Sequence, residues 1–179
     1  MASALQPAPP ITIEQYLGFE APEGFRDELI YGRIVLSPEP KVLHYDVADN
    51  LYRLLSKAAG RKYRVAQRMN LQFLDCHSMP IPDVFAIKRQ EWTRARIQNV
   101  YPDGSQVLLA VEVNSPSNRA SPLKSKIEIY LAHGLEVWVV DPKKQEVTVR
   151  RARSVEKPSR HISWNGKEIP LAAIFRLLA

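Results

Sequence analysis

Three carboxylates stand where strand-forming sequence surrounds them: Glu28 in DELIYG, Asp83 in IPDVFAI and Glu112 in AVEVNSPS. Burying a carboxylate among apolar neighbours is costly unless a cation or hydrogen bonds compensate it, so three acids of this kind imply a shared partner. A divalent cation is the simplest one. A few oxygen donors completed by water suit Mg2+ or Mn2+, whereas zinc would draw on His and Cys, and Cys76 is the only cysteine of the chain. Each acid also has a plainer reading. Glu28 can pair with Arg33 across a hairpin, and Asp83 can cap a turn behind Pro82. Glu112 is harder to explain structurally, because Val111 and Val113 take the other face of its strand and Leu109 and Ala110 leave no polar surface nearby.

The segment after Glu112 supplies cations. Leu123, Ile127, Tyr130 and Leu131 recur at helical spacing, with Lys126 at one edge of that apolar face, within reach of the acids, and Lys124 at the other. Spacing does not choose between the two lysines, and either also reads as a solvated surface residue. His44 reads as a polar cap at a helix start. Tyr130 and Trp138, among apolar neighbours, read as core residues.

These side chains need elements to position them. Thr12 can cap a short helix through Leu17, and Arg26 to Leu36 reads as a hairpin around Tyr31-Gly32. Val47, Leu51, Leu54, Leu55 and Ala58 mark a helix from Leu43 to Ala59, closed by Gly60. Tyr63 to Leu74 and Val84 to Ile87 are expected strands separated by the turn-rich DCHSMPIP. Lys88 to Gly104 is charged and reads as a loop with at most one helical turn. Val107 to Val113 is a central strand, ended by Ser115-Pro116-Ser117. Ser121 and Pro122 open a helix to His133, with Gly134 after it. Strands over Glu136 to Val140 and Glu146 to Arg151 follow, then the basic linker RRARSVEKPSRH, a short strand at Ile162 to Trp164 and an apolar helix from Leu171 to Leu178.

The chain has 179 residues, 25 Lys+Arg against 19 Asp+Glu, a formal net charge of +6 and 45% hydrophobic residues. These values describe one globular domain, here residues 11–179 behind a flexible lead-in of residues 1–10, and exclude a disordered or fibrous chain. No apolar run approaches the roughly 18 to 20 residues of a membrane span, and the amino terminus lacks the pattern of a secretory signal. With one cysteine, a reducing cytoplasmic setting is expected. The positive charge argues for attraction to a polyanion such as DNA, and Arg61, Lys62, Arg64, Arg68, Arg94, Arg96, Arg119 and the 150–160 stretch are its candidate contacts, most of them expected to be ordinary solvated charge.

Together, Glu28 to Gly32, the IPDV around Asp83, VEVNSPS around Glu112, Lys126 with Tyr130, and GLEVWVVDP from Gly134 resemble the Uma-type endonucleases of bacteria. That family is a branch of the PD-(D/E)XK restriction-endonuclease-like superfamily. The resemblance implies an α/β fold with a restriction-endonuclease-like core, a mixed curved β-sheet flanked by α-helices. It implies Asp83 and Glu112 as metal ligands, Glu28 as an auxiliary ligand, and a lysine that positions or polarises the attacking water. The superfamily's usual lysine lies two residues after the second acid, where this chain has Asn114. Uma-type sequences place it on the following helix, which assigns the role to Lys126. Pro122 stands where similar sequences often carry aspartate, and His44 where they tend to carry histidine. The expected function is an Mg2+- or Mn2+-dependent DNA endonuclease. The alternative is a catalytically inactive nucleic-acid-binding or interaction module on the same fold, motivated by Asn114 and Pro122. A homodimer is a further expectation, since double-strand cleavage wants two sites and the terminal helix is apolar enough to pack on a partner or on its own sheet.

Overall fold

The computed structural model describes residues 9–114 and 120–176. Thr12 opens α1 (Ile13–Leu17) with a reciprocal cap: its hydroxyl accepts from the Gln15 N–H, and the Gln15 side chain accepts from the Thr12 N–H. β1 (Phe25–Ile30) and β2 (Arg33–Pro38) form an antiparallel hairpin whose turn residues, Tyr31 and Gly32, both have positive φ, as a two-residue turn between twisted strands requires. α2 (Val42–Ala59) buries Val47, Leu51, Leu55 and Ala58 along one stripe, as their spacing predicts. β3 (Tyr63–Gln67), β4 (Val84–Lys88), α3 (Arg89–Gln98), β5 (Val107–Val113), α4 (Ala120–Ala132), β6 (Glu136–Asp141), β7 (Glu146–Arg151) and β8 (Ser154–Glu156) follow. The chain closes with β9 (His161–Trp164), β10 (Lys167–Pro170) and α5 (Leu171–Ile174).

The main sheet has six strands in the order β3-β4-β5-β6-β7-β8. β5 and β6 are parallel and the other neighbours antiparallel, so the sheet is mixed, and α4 is the crossover that a parallel pair needs. A register shift at Ala86/Ile87 breaks the β4–β5 ladder, an irregularity of the kind that bends a strand. Alternation from Leu109 to Val113 divides the core, and the register shift puts Val107, before it, on the side of Ala110. Leu109, Val111 and Val113 pack on the α2 side, together with Trp138, Val140 and the terminal hairpin, while Val107 and Ala110 pack on the other side with Ile129 and Tyr130 of α4. Glu112 shares the parity of Ala110 and therefore meets α4. A third small core of Ile13, Tyr16, Leu29 and Met79 holds α1 to the β1–β2 hairpin.

Several expectations are corrected. Residues 89–98, read as loop, form α3: the segment buries no residue fully and so carries no apolar stripe, but Trp92 packs on Phe85 and Asn99 ends the helix in the left-handed region. The strand expected from Tyr63 to Leu74 stops at Gln67, because Arg68 has a φ of 48° and the chain turns back to hydrogen-bond the proline-rich segment. The basic linker contains β8, which pairs with β7. α4 begins at Ala120, one residue ahead of the expected Ser121 cap. The terminal helix spans Leu171–Ile174, short of the expected Leu178, and both of those residues are buried in the chain's own core beside α2. Residues 1–8 of the lead-in, the Ser115-Pro116-Ser117 stop, Arg119 and the last residues 177–179 lie outside the described residues.

One buried glycine supports the α4 side directly. A Cβ on Gly104 would overlap the ring of Phe73, which packs against Tyr130 and His133 with centroids 6.1 and 4.6 Å away. Gly104→Ala is expected to lower stability by about 1–3 kcal/mol through overpacking. Gly18→Ala, where a Cβ meets only an ordinary contact at 3.7 Å, is expected to change it little. Urea denaturation of the two variants measures the difference.

Candidate active site

Ile81 lies between Pro80 and Pro82, and the residue before a proline is held in extended backbone. Both its peptide groups are thereby available to side chains. Its N–H donates to Glu28 Oε1 at 2.6 Å, and its carbonyl accepts from Lys126 Nζ at 2.9 Å. Asp83 follows at the mouth of β4. Its own N–H donates to the Val111 carbonyl at 3.0 Å, tying it to β5, and both carboxylate oxygens are held. Oδ1 accepts from His44 Nε2 at 2.8 Å and Oδ2 from the Val113 N–H at 2.7 Å. Burial pushes this carboxyl upward, but His44, the Lys126 charge and the Val113 N–H outweigh it and hold Asp83 below the usual aspartate value.

Glu112 is 4% exposed and also engaged at both oxygens: Oε2 accepts from Lys126 Nζ at 2.8 Å and Oε1 from the Tyr130 hydroxyl at 2.9 Å. Here burial dominates. With Asp83 and Glu28 adding repulsion and Lys126 opposing it, the Glu112 carboxyl is pushed up to about 8. Lys126, 6% exposed, also pairs with Glu28 Oε1 at 2.8 Å. Burial alone would lower its pKa, yet Glu112, Glu28 and Asp83 together raise it, so it stays an ammonium. The same acids and burial raise the Tyr130 hydroxyl, which remains a donor.

The structure thus brings Glu28, Asp83, Glu112, Lys126, His44 and Tyr130 into one connected cluster. It separates the two lysines: Lys126 is buried among the acids, whereas Lys124 is exposed and, among the described residues, pairs with Glu128 alone at 3.8 Å. Asn114 continues β5 with its N–H on the Val140 carbonyl and does not line the pocket. Glu28 faces Val35 across the hairpin and Arg33 faces Ile30, so the expected Glu28–Arg33 pair does not form. Tyr130 is a core residue, as its apolar neighbours imply, and its hydroxyl serves Glu112 as well. Arg26 and Ser37, which line the pocket beside the acids, are not among the expected site residues. A signal for Arg26 is present in the sequence: it lies two residues before Glu28 on one strand, hence on the same face.

The donors at this pocket are carboxylate and carbonyl oxygens, the chemistry of a hard divalent cation. The cavity has room for about 40 Å3, and a water-sized occupant needs roughly 10–15 Å3. Among the described residues no three His, Cys, Asp or Glu side chains are grouped as ligands of one ion, because the Lys126 ammonium lies between Glu28 and Glu112. The residues therefore fit a cation held by two carboxylates and water, with no preformed three-acid cage.

A mixed sheet with a parallel central pair, a crossover helix, and acids at the β4 and β5 ends defines a restriction-endonuclease-like α/β fold. The sequence model of the Uma2 family, described as "Putative restriction endonuclease", matches residues 13–176, and the chain belongs to that family. A solved structure described as "a putative nuclease belonging to DUF820" from Anabaena variabilis superposes with a TM-score of 0.75 at 20% identity, covering 93% of this chain and 98% of that one. A search of curated proteins found no match. Among the described residues, no helix is long and apolar enough to cross a membrane.

The cluster makes a stability prediction. Lys126→Met leaves Glu28 and Glu112 facing each other without their cation and is expected to cost about 3–5 kcal/mol at neutral pH. Lys124→Met removes one exposed pair and is expected to cost no more than about 0.5 kcal/mol. Denaturant melts of both variants in chelator-treated buffer compare the two.

Proposed function

We propose that this chain is a divalent-metal-dependent DNA endonuclease. The observation that carries the reading is the convergence of Asp83, Glu112 and Lys126, from β4, β5 and α4, on one pocket backed by Glu28. Bound at Asp83 and Glu112, Mg2+ or Mn2+ would supply neutralisation of a non-bridging phosphate oxygen and a lowered pKa for the attacking water.

The chain's own residues supply the rest. His44 and the Val113 N–H fix the Asp83 carboxylate in one orientation, and Tyr130 fixes Glu112. Such outer partners keep ligand atoms from swinging, so little reorganisation is needed when a cation is taken up. The contacts of Glu28 described here fall on Oε1, leaving Oε2 as the auxiliary oxygen. Lys126, held charged by its acids, stabilises negative charge as it develops on the phosphate, and it exchanges one of its three oxygen contacts to do so.

Asn114, at the superfamily's usual lysine position, favours the inactive module when taken alone. Lys126 reaches Glu112 from α4 instead, which supports the active reading.

Supercoiled plasmid incubated with the protein and Mg2+ or Mn2+ is expected to be nicked or linearised. Asp83→Asn and Glu112→Gln should each slow the reaction by about 10²–10³-fold or more. Equal nicking by wild type and both variants would overturn the reading. Duplex binding with no metal uptake by calorimetry and no cleavage would favour the inactive module.

A further inference from the structure

Arg26 lines the same pocket as Glu28, Asp83, Glu112 and Lys126, and its direct cross-strand neighbour Ser37 lines it too. The fold uses the guanidinium only loosely. Its Nε is buried and makes no hydrogen bond among the described residues, and its one ion pair there is a long one, 3.7 Å to Glu39 Oε2, an oxygen that also accepts from the Tyr45 hydroxyl at 2.9 Å. A buried donor left unmet is uncommon in a folded protein and calls for a ligand. From these observations we infer that Arg26, with the Ser37 hydroxyl, is an anion subsite that binds a phosphate group of the substrate next to the acid–lysine cluster.

Charge is compatible with the assignment. With the Glu112 carboxyl pushed up to about 8, Asp83 and Glu28 are balanced by Lys126 and Arg26 at neutral pH, so net charge does not repel a phosphate, and a divalent cation would add the positive charge that a phosphodiester offsets. Arg26 suits this role because its planar fork of donors matches two phosphate oxygens at once, which a lysine cannot do. Pro122 and Leu123, which also line the pocket, belong to the first turn of α4, the helix end that favours negative charge. The β1–β2 hairpin thereby gains a second function. It carries Glu28, which holds the lysine, and, two residues earlier on the same face, the residue that holds the phosphate.

This inference rests on the nuclease reading for the source of the phosphate, and the two can fail separately. A fluorescein-labelled 20-base-pair duplex is titrated with wild type, Arg26→Gln and Arg26→Lys in Ca2+, by anisotropy at several salt concentrations. Arg26→Gln is expected to weaken binding about tenfold and to lower the slope of log affinity against log salt by about one, the loss of one phosphate contact. Arg26→Lys should recover the slope but not the full affinity. Cleavage by Arg26→Gln in Mn2+ should show a raised KM, and calorimetric Mn2+ affinity should match wild type. If wild type binds and cleaves DNA and Arg26→Gln matches it in affinity, slope and KM, the subsite is wrong and the nuclease reading stands. If wild type neither binds nor cleaves DNA, the nuclease reading fails, and inorganic phosphate decides the subsite. Phosphate binding by calorimetry that Arg26→Gln abolishes would keep an anion site for free phosphate, and its absence in wild type would overturn the subsite as well.

Discussion

The ammonium of Lys126 is the contact on which the rest of the site depends. It is almost fully buried and meets Glu112 Oε2, Glu28 Oε1 and the Ile81 carbonyl, all within 2.9 Å. An ammonium removed from water without partners is strongly unfavourable, so its position requires all three oxygens to be present together. They come from β5, β1 and the segment between the two prolines. The hairpin β1–β2 is not part of the six-stranded sheet, and two strands alone are marginal in water. Its attachment comes from the small Ile13, Tyr16, Leu29 and Met79 core, the Leu29–Met79 bridge, and the ion pair from Glu28 to Lys126. One buried charge thus couples the placement of an outlying hairpin to the central strand.

Asp83 and Glu112 sit at the ends of paired strands, yet their environments push them in opposite directions. Asp83 gains a histidine, a backbone N–H and a nearby ammonium, and is held ionised. Glu112 gains Lys126 and Tyr130 but is enclosed by burial and by two other acids, which favour the protonated form. The divergence follows from the partners each carboxyl is given: Asp83 has donors on both oxygens and little repulsion, whereas Glu112 shares Lys126 with Glu28.

How much of this is legible in the sequence follows from the period of each segment. β5 and α2 are readable because their apolar residues repeat at the spacing of a buried strand and of an amphipathic helix. α3 is not, because RQEWTRARIQ has no apolar stripe; Arg89 anchors its start by donating to the Gly60, Arg61 and Tyr63 carbonyls. The three acids are visible as charges inside strand sequence. The choice of Lys126 over Lys124 is not derivable from spacing, since the helical register relative to the sheet is set by tertiary packing of Ile129 and Tyr130. The role of Ile81 is invisible by residue type, for its backbone carries the contacts. Arg26 is hidden for a different reason: a lone arginine in a hairpin strand looks like surface charge, although strand alternation already places it on the face of Glu28.

The basic excess also changes meaning once each cation is followed to its contact. Arg64 stacks on Trp92, Arg68 on Tyr45 beside Asp49, and Lys62 on Tyr63, so these candidates are at least partly occupied by the fold. Arg94 pairs with Glu91, and Arg151 bridges Glu136 and Glu156. A net charge of +6 therefore overstates how much positive charge is free to meet a polyanion at short range. The long-range field that a polyanion would meet depends on net charge and not on whether each cation is paired. Within the pocket the charges nearly cancel, since the raised Glu112 carboxyl leaves Asp83 and Glu28 against Lys126 and Arg26. On the proposed reading, a divalent cation taken up there would give the interior the sign that a phosphate needs, so cation uptake would serve substrate entry as well as the chemistry that follows.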